Sequence, residues 1–147
     1  MTMGEPMTIR KMEEQDQLQV AEIYLKTRLA TFTWASAEEL KSANFQEDSQ
    51  GEVVFVYVEE QAVLGFLSVY EPENFVHHLF IRTDQQGRGI GQELLNYRLA
   101  NSQGSLSLKC LAANKQALAF YQHFGFKVTS NLCGSGNEGF YQLSYDK

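Results

Sequence analysis

Apolar residues recur along this chain with two periods, and the switches between them outline its elements. Thr8–Met12 alternates, with Ile9 and Lys11 on one side, and predicts a first strand. After Asp16, Leu18, Ala21, Leu25 and Leu29 return at helical spacing, with Val20, Ile23 and Tyr24 beside them. That predicts a helix capped by Asp16. Thr31–Trp34 breaks the pattern, and Ser36 with Glu39 resembles a capping box for a second short helix reaching about Asn44. Gln46–Gly51 reads as a polar, exposed loop.

Period two then takes over. Glu52–Glu59 and Ala62–Tyr70 are dense in β-branched and aromatic residues around a tight turn at Glu60-Gln61, and predict a hairpin. Pro72 and Asn74 break the chain before a strand at Val76–Arg82. A loop at Asp84–Arg88 precedes a helix over Gly89–Ser102, where Ile90, Leu94 and Tyr97 share a face. Gln103-Gly104 closes it. A strand at Leu106–Leu111, a helix at Asn114–Phe124, and strands at Phe126–Leu132 and Gly139–Tyr145 complete the order. The result is β-α-α-β-β-β-α-β-α-β-β, an α/β (mixed α+β) chain with a mixed sheet.

At 147 residues and 44% hydrophobic, the chain suits one packed domain, expected over residues 7–147 behind a tail at 1–6. A net charge of -6 with scattered Lys and Arg argues against a nucleic-acid partner. Cys110 and Cys133 fit no zinc or redox spacing, so free thiols in a reducing compartment are expected and no metal is called for. No stretch approaches the roughly 18 apolar residues of a membrane span, and the first ten residues lack the apolar core of a leader. A cytoplasmic location with no membrane partner is the expectation.

The chemistry is concentrated in Leu79–Leu95, which runs strand, glycine-rich turn, helix. Gly87, Gly89 and Gly91 remove side chains where a ligand could lie against the backbone. The first N–H groups of a helix lack internal partners and sit at the positive end of its dipole, so a phosphate fits there. The dinucleotide pattern fails, because Leu94 or Gln92 stands where its last glycine belongs, and the P-loop ending is absent. What remains is Gln86-x-x-Gly89-x-Gly91. It resembles the coenzyme A pyrophosphate motif of the GNAT acetyltransferase superfamily. Further on, Asn114 followed by Ala117, Phe120, Tyr121 and a Gly-Phe pair resembles that superfamily's second signature.

The resemblance implies a GNAT acyl-CoA N-acyltransferase fold. It would have a mixed, mostly antiparallel sheet of about seven strands and about four helices, splayed between the strand at 76–82 and that at 105–111. It implies acetyl-CoA as cofactor, held by Leu79, Phe80 and Ile81 along the strand. Gln86, Gly87, Arg88, Gly89, Ile90, Gly91 and Gln92 would form the cradle, with Asn114, Ala117, Phe120 and Tyr121 on the later helix. Asn114 also reads as a cap, Arg88 as a solvated turn residue, and Tyr121 as a core aromatic. The implied reaction moves an acetyl group to a primary amine of a small molecule or peptide by direct attack, through a tetrahedral intermediate.

The resemblance makes Tyr121 the proton donor to the leaving thiolate. His77 is the candidate base, expected on the same strand face as Leu79, with His78 on the other; a water chain is the alternative. A backbone N–H near Leu79 or Phe80 would bond the oxyanion. Arg28, Phe32 and Trp34 are candidate acceptor contacts. Rival readings are a non-catalytic coenzyme A-binding module and a nucleotide-binding regulatory domain. Monomer and homodimer both stay open.

Overall fold

The computed structural model describes residues 7–31 and 44–146. Phe32 and Trp34, and nearly all of the expected second helix, lie outside the described residues. The strands are β1 (Thr8–Lys11), β2 (Val53–Glu59), β3 (Ala62–Tyr70), β4 (Phe75–Ile81), β5 (Leu106–Leu111), β6 (Lys127–Val128) and β7 (Phe140–Tyr145). The described helices are α1 (Gln17–Thr31), α2 (Phe45–Asp48), α3 (Ile90–Ala100) and α4 (Lys115–Phe124). None of them is long and apolar enough to cross a membrane.

The strands form one sheet in the order β1-β2-β3-β4-β5-β7-β6, antiparallel throughout except where β4 meets β5. Its two faces carry separate cores. Phe55, Leu67, Val69, Val76, Leu106 and Leu108 pack against Leu94 and Leu95 of α3. Val54, Val56 and Phe66 pack against Val20, Ile23 and Tyr24 of α1 and Phe45 of α2. Such two-sided burial explains why β2 and β3 read as nearly continuous apolar runs.

Several expectations shift. The buried stripe of α1 is Val20, Ile23, Tyr24 and Thr27, while Leu18 is 85% exposed. Tyr24 sets this rotation, because its hydroxyl donates to Asp48 and its ring packs on Phe45. Asp16 does not cap α1 directly; it ends a 3-10 turn, accepting from the Glu13 N–H at 2.8 Å and from Arg10. The expected loop at Gln46–Gly51 begins inside α2, which Asn44 caps by accepting from the Gln46 N–H at 2.8 Å. The strand expected at Phe126–Leu132 pairs only at Lys127–Val128; beyond it the Thr129 N–H donates to Gln142 O and Ser130 Oγ accepts from the Gln142 N–H, so contact with β7 continues through a side chain and not a regular ladder.

β4 and β5 pair only at Phe75↔Ser107 and Val76↔Leu108, then continue to Ile81 and Leu111 without a ladder between them. The sheet therefore opens as a V. Its closed end is pinned by Asn74, which has a left-handed backbone at φ 49°. Asn74 Nδ2 donates to Ser105 O at 2.9 Å, and its carbonyl accepts from the Ser107 N–H at 3.2 Å. Buried Arg98 of α3 donates to Asn74 Oδ1 at 2.9 Å and pairs with Glu71 at 3.2 Å. Satisfied buried polar groups of this kind define geometry, because breaking any one strands its partner.

Candidate functional site

The open end of the V faces the start of α3. Gly87 and Gly89 both have φ +83°, and a Cβ on either would meet nothing within 4 Å. Backbone conformation and open space thus favour glycine there, rather than close packing. Gly89 is the N-cap and offers no side chain to the first turn. The first ladder bond of α3 runs from the Glu93 N–H to Gly89 O at 3.0 Å, so the N–H groups before it have no helical partner. The other helix on this face contrasts with it. Asn114 Oδ1 accepts from the Ala117 N–H at 3.2 Å and caps α4.

Gly91 has a different reason to be glycine. A Cβ there would lie 3.2 Å from the Phe120 ring, so the missing side chain lets α4 approach the first turn of α3. Arg88 bonds Gln85 at 2.7 Å and pairs with Glu59 at 3.0 Å. Gln86 Nε2 donates to Ile81 O at 3.4 Å, tying the turn to the end of β4. Ile90 is buried, while Gln92 is mostly accessible in the first turn.

Along β4, the bond from the Arg82 N–H to Leu64 O sets the antiparallel alternation. Phe80, opposite Phe66, spends its backbone groups on β3, and those of Leu79 turn into the gap, while Ile81 O accepts from Gln86 Nε2 and Thr27 Oγ1. Tyr121 packs beside Phe120 and Phe126, with ring centroids 5.3 and 5.6 Å away. Burial pushes its phenol well above its ordinary value, and the Cys110 thiol nearby adds to this. Burial likewise pushes the Cys110 thiol up to about 11.

The opposite face holds what the sequence reading did not foresee. In β4 the register slips: Ser68 faces His78 but Val69 faces Val76, leaving His77 as an extra residue. This β-bulge resets the alternation. Val76 and Leu79 both pack toward the α3 core, and His77 and His78 lie together on the other side with ring centroids 4.0 Å apart. The expected separation of His77 from His78, and its sharing of a face with Leu79, are therefore corrected.

His77 is exposed and pairs through Nδ1 with Oε2 of Glu52, a residue missed in the sequence because an acid at the first position of an expected strand carries no signal. His78 is buried among Tyr24, Phe45 and Phe80, and its Nδ1 lies 2.7 Å from Ser68 Oγ. Burial, with His77 and Arg28 nearby, pushes its imidazole down to about 3, so it is neutral. Arg28 stacks on Tyr24 at 4.7 Å and so borders this cluster.

The comparisons agree with this geometry. The family model for an acetyltransferase (GNAT) domain matches residues 12–137. The solution structure of apo YjaB from Escherichia coli has a TM-score of 0.77 at 26% identity, covering 95% of this chain and 97% of its own. PaiA N-acetyltransferase from Thermoplasma acidophilum, solved with coenzyme A, has a TM-score of 0.79 at 16% identity, covering 97% and 99%. YncA from Salmonella typhimurium, solved with its cofactor acetyl-CoA, has a TM-score of 0.68 at 20% identity, covering 95% and 93%. No curated protein sequence matches the chain.

Proposed function

Because the chain belongs to the GNAT acetyltransferase family, we propose that it takes acetyl-CoA and moves the acetyl group to a primary amine of a small molecule or peptide. The observation that carries this is the uncapped start of α3, with Gly87 and Gly89 open above it, at the mouth of the V between β4 and β5. The donor supplies an activated thioester.

Free N–H groups from Gly89 to Gln92 are suited to the pyrophosphate. Gln86 and Arg88 border it, and Arg88 would exchange Glu59 for phosphate. The outward backbone groups of Leu79 and the Ile81 N–H offer a strand edge to the pantetheine amides, as in strand addition. Ala117 and Phe120 line the α4 side. Leu79, whose N–H is free of β3, is better suited than Phe80 to bond the oxyanion.

His77 is the proposed base. Its Nδ1 faces Glu52, which leaves Nε2 to accept a proton from the amine; Glu52 acts as the positioning residue. Tyr121 is the proposed acid. Its phenol, raised above its ordinary value, stays protonated, and it donates a hydrogen bond to the departing thiolate with the proton following. Arg28, at the edge of the cluster, is the proposed acceptor contact, together with Phe32 and Trp34.

A panel of amines assayed with acetyl-CoA and thiol detection tests the reading. Acetylation of at least one amine, lost in His77→Ala, supports it. Coenzyme A binding without turnover on any amine would favour a non-catalytic binding module instead.

A further inference from the structure

The bulge in β4 brings three metal-ligating side chains to one spot. One donor atom from each of Glu52, His77 and His78 lies within 4.8 Å of the others. The Glu52 side chain is only 8% exposed. Its Oε2 meets His77, but its Oε1 is buried without a hydrogen-bond partner, 3.8 Å from His78 Nδ1. A buried carboxylate oxygen with no donor is costly, and a cation is the partner it lacks. We propose that Glu52, His77 and His78 form a binding site for a zinc-class divalent ion.

The donor set fits that ion. Two imidazoles and one carboxylate suit zinc, and three protein ligands leave a fourth position for water. His77 is 44% exposed, which gives the ion a way in. His78 Nδ1, the nitrogen nearest Glu52 Oε1, also lies 2.7 Å from Ser68 Oγ, so ligation through it would exchange the Ser68 bond for the ion. Arg28 works against the site by adding positive charge nearby, and limits its affinity.

The ion would occupy the imidazole assigned above as the base. Zinc binding and base action then exclude each other, and zinc inhibits acetyl transfer. Only this consequence rests on the proposed function; the binding site does not.

The test is zinc titration of the full chain, stripped of metal, against a chromophoric chelator. A Cys133→Ser background removes the partly exposed thiol. One ion per chain is expected, with affinity reduced about tenfold or more in both His77→Ala and Glu52→Gln. Zinc should raise the melting temperature of the background protein and not that of the variants. Exposed His77 can be replaced without opening the core, so this arm stands even if the buried Glu52→Gln variant fails to fold. No binding by the background protein, or equal affinity in the His77→Ala variant, would overturn the site. Binding without inhibition would uphold the site and remove His77 as the base.

Discussion

On the α3–α4 face, the proposed ligand surface consists largely of backbone, drawn from one continuous strand–turn–helix run between Leu79 and Gln92. On the α1–α2 face it consists of side chains: Glu52, Ser68, His77 and His78, gathered from three strands or their ends. The two faces share β4. A backbone site is specified by where side chains are missing, so it survives as glycine spacing. A side-chain site depends on register, and a bulge of one residue moves every later side chain to the other face.

The largest expected effect breaks the backbone side alone. Gly89→Glu places a carboxylate beside the pyrophosphate and strains a φ of +83°. Acetyl-CoA affinity should fall about a hundredfold or more, since the added carboxylate both repels the phosphates and fills the space they need. Calorimetry checks this, and zinc binding at Glu52 should be unchanged in the same variant.

Tyr121→Phe comes next. It should lower kcat about a hundredfold while leaving KM for acetyl-CoA near its original value. Steady-state kinetics checks it; unchanged kcat would return Tyr121 to a core aromatic.

Asn74→Ala strikes the pin shared by both faces. It strands Arg98 Nε and frees Ser105 O, and should cost about 2 kcal/mol in urea unfolding. Some loss of acetyl-CoA affinity should follow as the V loosens.

The smallest effect lies away from both faces. The Arg10 guanidinium beside Asp16 holds that carboxyl below its ordinary 3.8. The folded value lies below the unfolded one, so the stabilisation is complete above 3.8 and is lost as pH falls through the folded value. Asp16→Asn should therefore cost about 1 kcal/mol at neutral pH, and the gap to the unmodified protein should close in acid. Urea titrations at several pH values check it.

Much of the fold could be read from local pattern. β3 and β5 fall where alternation and β-branched residues place them, and Gly87 and Gly89 could be read because their backbone demands are local. Gly91 was harder to read: it looked like a third ligand-facing glycine, and its reason is the distant ring of Phe120. The histidine pair had a signal of its own. Val76 and Leu79 are apolar and three residues apart, a spacing that strict alternation cannot bury on one face. Two adjacent polar residues between them mark the place where a bulge resolves the conflict. Glu52 had no such mark, since only β2–β3–β4 pairing brings it to His77.

The central claim is that the start of α3 is a coenzyme A cradle and not a general anion site. Thermal denaturation of the unmodified protein with acetyl-CoA, coenzyme A, ATP and NAD, each in turn, tests it most directly. The account expects acetyl-CoA and coenzyme A to raise the melting temperature, with ATP and NAD leaving it unchanged. Stabilisation by ATP or NAD alone would contradict it.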